Sequence, residues 1–362
     1  MLVLVQVLRA AAALMVVWHH ARHEAGLTTT PDAAALLPWW AGVDLFFVIS
    51  GFVIVHASAG LFAAPGARSR FLAHRLARVV PLYWLATGLT LAVALVRPGL
   101  LNEAAPLVRD PAYVAGSFLF WPAPRPDGSV QPLYGLGWTL NAEMFFYVLF
   151  ALGLGFGRRG AVAWLWAALG LLVAAGAAAP LPLPLSFWAD PMVAEFALGA
   201  GLALARAEMV RAGLRLPDGA RIALAALGMI GLALAARHLA GAGEVAGFAR
   251  PLLAGLPSGL LVAAAALGPE RDRAGIAALP APVRWLSGLG DASYALYLAH
   301  PFALRLVRLA SSGLPSATAA ALMVGMSVAA ALFVHRLIEL PMTRAVRARL
   351  DRDPPDWSPA RR

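Results

Sequence analysis

The sequence predicts an all-α protein, a polytopic bundle of about ten transmembrane helices with both termini in the cytoplasm. Three observations carry that reading. Hydrophobic residues make up 60% of the 362 residues and charged residues only 13%, with a mean hydropathy of +0.73, far more apolar surface than a soluble core of this size would use. Apolar stretches of bilayer length recur at about 2–21, 40–60, 79–97, 136–156, 161–179, 187–205, 220–237, 250–268, 286–309 and 316–340. Arginine, which fills every one of the 29 Lys/Arg positions, concentrates in alternate connections, at 61–78, 157–160, 206–221, 269–285 and after 341, and the cytoplasmic side collects such charge.

The same composition narrows the function. There is no cysteine, so disulfides, thiolate catalysis and cysteine-ligated metals are excluded. The net charge of +10 is scattered between apolar spans, which fits membrane topology and not nucleic-acid binding. The first span reads as retained: a largely apolar segment precedes Arg9, and no small-residue cleavage site follows before the histidine-rich turn. Residues 1–341 read as one membrane domain and 342–362 as a short arginine-rich cytoplasmic tail, too short for an appended catalytic domain, so the chemistry is expected within the membrane domain. The longest external loop, 98–135, has room for a short interfacial helix around Tyr113–Trp121.

Taken in order, the polar residues inside the spans form a pattern. In the first, Arg9 and His20 are eleven residues apart, three helical turns plus about 20°, so they share a face roughly 16 Å apart along the axis. His19 falls about 80° off that stripe, which favours His20 as the reactive imidazole. The second span carries Asp44, within Gly42-Val43-Asp44-Leu45-Phe46-Phe47, at a depth comparable to His20. A carboxylate there would hold the imidazole in one tautomer; capping the start of its own helix is the equally available role.

At the cytoplasmic end of the third span, Arg75 and Arg78 share a face at i, i+3, followed by Tyr83 and Trp84. Forked guanidiniums suit phosphate oxygens, of a soluble ligand or of lipid headgroups, and the pair also serves as a topology signal. The fourth span opens with Trp138, Asn141 and Glu143, an acid that is costly in an apolar helix unless paired or functional. In the ninth, Tyr297 and His300 share a face, Tyr294 precedes them, and Pro301 frees a backbone carbonyl. His300 reads equally as a packing histidine and as part of a site.

In this order the motifs resemble the acyltransferase-3 family of integral-membrane acyltransferases, from Arg9 to about Pro341. The resemblance rests on Arg9 with His20, Gly42 to Phe47, Arg75 with Arg78, the Trp138, Glu143, Tyr147 stretch, Tyr294 with His300, and Glu339-Leu340-Pro341. Gln6-Val7-Leu8-Arg9 and the 137–147 stretch are most similar to the bacterial exopolysaccharide acetyltransferase branch. The resemblance implies transfer from cytoplasmic acyl-CoA, acetyl-CoA in this branch, to a sugar hydroxyl at or beyond the bacterial inner membrane, with the histidine as catalytic residue and no tightly bound cofactor. The chain departs from common family patterns in having the second histidine, His19, in Ala142 before the glutamate, and in lacking an SGNH-type extracytoplasmic domain.

Together these readings assign catalysis to His20, Asp44 and Glu143, donor binding to Arg9, Arg75, Arg78, Tyr83 and Trp84, and acceptor binding to Trp138, Asn141, Tyr294 and His300, with no metal ligands. The expected partners are the lipid bilayer, acyl-CoA and a polysaccharide or other glycan; a homo-oligomer is compatible with the pattern. Direct transfer and an acyl-histidine intermediate both stay open. One rival is a transporter or channel for an anionic solute using the same arginines, weakened by the lack of an internal repeat. The other is a metalloprotein using His19, His23 and Glu24, which lie where solvated histidines are ordinary.

Overall fold

A computed structural model describes residues 2–27, 38–97, 106–238, 247–310 and 313–352. Among them the regular structure is helical: α1 Val3–Glu24, α2 Gly42–Ala57, α3 Ala67–Val96, α4 Pro111–Phe118, α5 Trp138–Gly153, α6 Arg158–Ala178, α7 Leu185–Trp188, α8 Ala194–Arg211, α9 Asp218–His238, α10 Leu256–Ala266, α11 Arg273–Ala277, α12 Ala281–Asp291, α13 Ser293–Ala310, α14 Ser316–Val334 and α15 Leu340–Arg352. Seven helices are long and apolar enough to cross a bilayer, at Val3–Glu24, Trp39–Ala57, Ala67–Val96, Gly135–Gly153, Arg158–Ala178, Asp218–His238 and Ser316–Leu350.

The other three expected spans differ in instructive ways. The 187–205 stretch forms α8, which buries Glu195 and Arg206. The 250–268 stretch is a π-helical turn at Pro251–Gly255 running into the 11-residue α10. The 286–309 stretch breaks at Ala292 into α12 and α13, two helices that the apolar run joined in the sequence. The third span starts earlier than expected, so Arg75 and Arg78 lie inside α3 and not before it. Residues 98–105 of the loop expected to be external and 353–362 of the tail fall outside the described residues.

The chain forms two compact units. The first comprises Met1–Ala57 and Pro191–His335. In it α1 packs on α12, α13 and α14 through Ala10, Ala13, Val17, Leu289, Leu296 and Ala331, with Ala21, Leu304, Val307 and Met323 continuing the seam. Small residues dominate because lipid tails are as apolar as leucine, so close packing has to supply the attraction between helices. Backbones also come very close where α2 meets α8: a Cβ on Gly199 would overlap the Val48 carbonyl oxygen, and one on Gly51 the Phe196 carbonyl oxygen. Arg206, buried at the end of α8, donates to the Ala266 and Gly268 carbonyls at 2.6 and 2.8 Å and to Glu270 at 3.0 Å. Carbonyls at the C-terminal end of α10 thus find a cation. The hydrogen bond from Arg206 in turn holds the Glu270 carboxyl below its ordinary pKa.

The second unit comprises Ser58–Asp190 and Arg336–Arg362. Here α3 and α5 run antiparallel, the Phe71 ring 5.1 Å from Phe150 at one end and Tyr83 packed against Gly137 towards the other. The segment between α3 and α5 is tightly knit. Asp110 caps α4 by accepting from the Ala112 and Tyr113 amides, Ser117 Oγ accepts from the Leu133 amide, and Arg125 donates to the Tyr113 hydroxyl. Tyr113, its pKa raised by burial, donates to the Gln131 carbonyl at 2.7 Å. The helix expected around Tyr113–Trp121 is therefore present as α4, ending at Phe118.

Candidate functional site

In the first unit, α1 is unbroken, so Arg9 and His20 stand on one face as the 3.6-residue period requires. His19 is exposed while His20 is half-buried. Arg9 donates to Gln6 Oε1 at 2.9 Å. His20 Nδ1 lies 2.9 Å from the Val16 carbonyl, one turn back along its own helix. A carbonyl oxygen can only accept, so Nδ1 carries the proton and the lone pair is at Nε2.

The neighbour of His20 is His300 on α13, whose Nε2 is 3.3 Å from His20 Nδ1. The two helices run parallel through this contact, and further along Glu24 meets Arg305 at 3.3 Å and Arg308 at 3.0 Å. His300 is wholly buried, its ring edge-on to Tyr297. The shared face expected for Tyr297 and His300 is present, but both ring nitrogens of His300 are engaged, Nδ1 with the Leu296 carbonyl and Nε2 with His20, and the acceptor-binding assignment of His300 is corrected accordingly. Tyr294 is half-buried earlier on the same helix.

Asp44 does not reach His20. It is completely buried in the first turn of α2, and both carboxylate oxygens accept from Arg250, at 2.8 Å from Nε and 3.1 Å from Nη2. The Arg250 guanidinium also lies 5.4 Å from the Trp40 ring centroid. The expectation that Asp44 orients His20 is therefore corrected: a carboxylate this deep needs a full counter-charge, and Arg250 supplies it in bidentate form. Arg250 is not singled out in the sequence, where it stands at the start of the 250–268 stretch. The signal that points to it is the buried acid itself, which demands a cation from elsewhere in the chain.

In the second unit, the Arg75 guanidinium stacks over the rings of Phe71 and Tyr147, at 5.4 and 5.8 Å from their centroids. Tyr147 is hydrogen-bonded to Glu143, one turn earlier on α5. Arg78, half-buried one turn along α3, makes no hydrogen bond or ion pair among the described residues. From α15, Arg347 comes within electrostatic reach of Arg75, a neighbour that the arginine-rich tail did not single out in sequence. Asn141 is 1% exposed, and neither its side-chain nitrogen nor its oxygen has a hydrogen-bond partner among the described residues. Trp138 is half-buried at the start of α5.

Tyr83 and Trp84, expected beside the donor, brace the segment around α4 instead. Tyr83 is fully buried and donates to the Ser117 carbonyl at 2.7 Å, and the Trp84 indole donates to the Phe118 carbonyl at 2.8 Å. With their polar hydrogens spent on backbone, neither has one left for a ligand.

No solved structure matches the chain. A curated relative, the exopolysaccharide production protein ExoZ of Rhizobium meliloti (strain 1021), is 33% identical over 323 residues, covering 85% of this chain and 91% of that protein. The acyltransferase domain of the acyltransferase-3 family matches residues 4–336, a range that holds His20, Asp44, Arg75, Arg78, Glu143 and His300. The chain therefore belongs to the acyltransferase-3 family.

Proposed function

We propose that the protein moves an acetyl group from cytoplasmic acetyl-CoA to a hydroxyl of an exopolysaccharide or its lipid-linked precursor, at the inner membrane of a bacterium. The family supports acyl transfer, and the name of the Rhizobium relative supports an exopolysaccharide acceptor. The observation that carries the donor assignment is the pair Arg75 and Arg78: two half-buried guanidiniums one turn apart, one held by ring faces and the other without a hydrogen bond or ion pair among the described residues. Guanidinium N–H groups left unspent in this way favour the diphosphate of a coenzyme A.

In the reaction, His20 Nε2 removes the proton from the acceptor hydroxyl as its oxygen attacks the thioester carbonyl. The C–S bond then breaks, the new O-acyl bond remains, and the proton passes from His20 to the departing CoA sulfur. Arg9, three turns below His20 on the same helix, is assigned to the donor as a further cation; Glu143, Trp138, Asn141 and Tyr294 are assigned to the acceptor. Transport of an anionic solute has no observation that favours it over transfer.

The test is a titration of purified protein with acetyl-CoA by calorimetry. Losing two charge-assisted contacts of about 1.5–3 kcal/mol each should weaken binding in Arg75→Glu, Arg78→Glu by roughly 10² to 10⁴-fold, and Lys at both positions should recover only part of it, because the fork is gone. An unchanged affinity in the folded double variant would remove the donor assignment.

The same reading places both termini and the start of α3 in the cytoplasm and the segment around α4 outside, with α8, α10 and the α12–α13 pair completing ten crossings. Since the chain has no cysteine, Asp127→Cys provides a single thiol. It should react with an impermeant maleimide in intact spheroplasts; reaction only after lysis would reverse the orientation.

A further inference from the structure

We propose that His300 is the positioning residue for His20: it fixes the tautomer and ring angle of His20, so that Nε2 of His20 is the basic nitrogen. This rests on the reading of His20 as the base.

The argument follows the hydrogens from the backbone outward. His300 Nδ1 lies 3.1 Å from the Leu296 carbonyl, one turn back on α13. The Tyr297 carbonyl, which loses its helical N–H donor because residue 301 is proline, also hydrogen-bonds this ring. Two acceptors require a proton on His300 Nδ1. In the neutral ring the other nitrogen then holds a lone pair, and His300 Nε2 points that lone pair at His20 Nδ1, 3.3 Å away. His20 Nδ1 has to donate, which agrees with its second contact, the Val16 carbonyl at 2.9 Å. The chain Leu296 carbonyl, His300, His20 thus has one consistent set of protons, and it ends with an unprotonated Nε2 on His20.

Val16 alone is a weaker constraint. Its carbonyl already accepts the backbone N–H of residue 20 in the helix ladder, so it shares its acceptor capacity, whereas the His300 lone pair has no competing donor of that kind. A neutral acceptor also suits the reaction. When His20 takes a proton at Nε2 its Nδ1–H becomes more acidic and its hydrogen bond to His300 strengthens, which stabilises the imidazolium without a second charge in the membrane. Asp44, the residue expected in this role, is held by Arg250.

The His300 ring sits at full burial between α1 and α13, so its removal also threatens packing. The experiment therefore uses three substitutions. His300→Phe keeps the ring volume but has no acceptor. His300→Gln places an amide oxygen where Nε2 was, and His300→Asn falls short of it. Turnover is followed with radiolabelled acetyl-CoA and exopolysaccharide from cells lacking the gene, with its O-acetyl groups removed by mild alkali. In parallel, ¹⁵N-histidine spectra of the protein in nanodiscs read the protonation of each nitrogen of His20. A wrong histidine tautomer costs up to about 10⁴ in kcat in a serine-protease triad, and Val16 retains part of the constraint here, so His300→Phe should lower kcat by about 10²-fold with KM for acetyl-CoA unchanged. His300→Gln should recover to within about tenfold of wild type, and Asn should not. His20 should show a protonated Nδ1 and bare Nε2 in wild type and Gln, and a tautomer mixture in Phe.

Wild-type turnover and an unchanged His20 spectrum in His300→Phe would overturn the proposal. If the Phe variant does not fold, equal turnover in Gln and Asn overturns it and a Gln-only recovery supports it. His20→Ala separates the two levels. A dead His20→Ala beside an active His300→Phe removes the role of His300 alone; an active His20→Ala removes the base assignment, and the spectra still decide whether His300 sets the tautomer.

Discussion

Replacing His20 by alanine is expected to reduce acetyl transfer by about 10² to 10⁴-fold while leaving acetyl-CoA affinity and detergent-solubilised stability nearly unchanged. The contrast with His19 makes this specific. The two residues are adjacent, yet the helical step of about 100° per residue sends His19 out to the exposed side and turns His20 towards α13. His19→Ala should therefore keep nearly all activity. Side-by-side rates of the two variants check the assignment, and a dead His19→Ala with an active His20→Ala would transfer the role to the neighbouring ring.

The second large effect is expected at the crossing of α2 and α8. The Gly199 and Gly51 backbones touch the carbonyls of Val48 and Phe196, so an added methyl meets main chain, which cannot rotate aside. Overpacking of this kind costs about 1–3 kcal/mol per site where side chains can adjust, and more where a backbone has to move. Gly199→Ala with Gly51→Ala should therefore lose folded protein outright on size-exclusion chromatography. Gly170→Ala on α6 is the matched control. Nothing lies within 4 Å of the added methyl, and alanine is the better helix former by about 0.8–1.0 kcal/mol, so this variant should elute and melt like wild type or slightly above it. Equal behaviour of the two variants would mean that the crossing is looser than its geometry.

Much of the architecture was legible because apolar length is a one-dimensional property. A run of twenty apolar residues reveals a helix without knowledge of its neighbours, and α1, α6, α9 and α14 lie where hydropathy put them. The rotation that separates His19 from His20 was legible for the same reason, since it depends on the helical period alone. What failed to show were the features set by contact between distant segments. The break at Ala292 lies inside an unbroken apolar run and turns on how α12 packs beside α1, where Gly290 lets the Gln6 carbonyl approach. Tyr83 and Trp84 read as site aromatics because nothing local reveals that Ser117 and Phe118 return to meet them. Asp44 and His20 seemed matched by depth, but depth along two helices leaves their rotation open. The true partners, Arg250 and His300, come from positions far along the chain.

That separation has a consequence for how the protein is made. Asp44 and Arg250 are 206 residues apart, so at roughly 5–20 residues per second a ribosome needs on the order of 10–40 s to supply the cation after the acid has entered the bilayer. During that interval α2 carries a carboxylate, a group that costs about 2.5–3.5 kcal/mol at mid-membrane and less towards an interface, with no guanidinium to offset it. The helix is held in the meantime by its apolar length and by α1, made just before it. Arrival of Arg250 then fixes α2 against the segment leading into α10, which makes this pair a late latch in biogenesis, closed only when two thirds of the chain has been made.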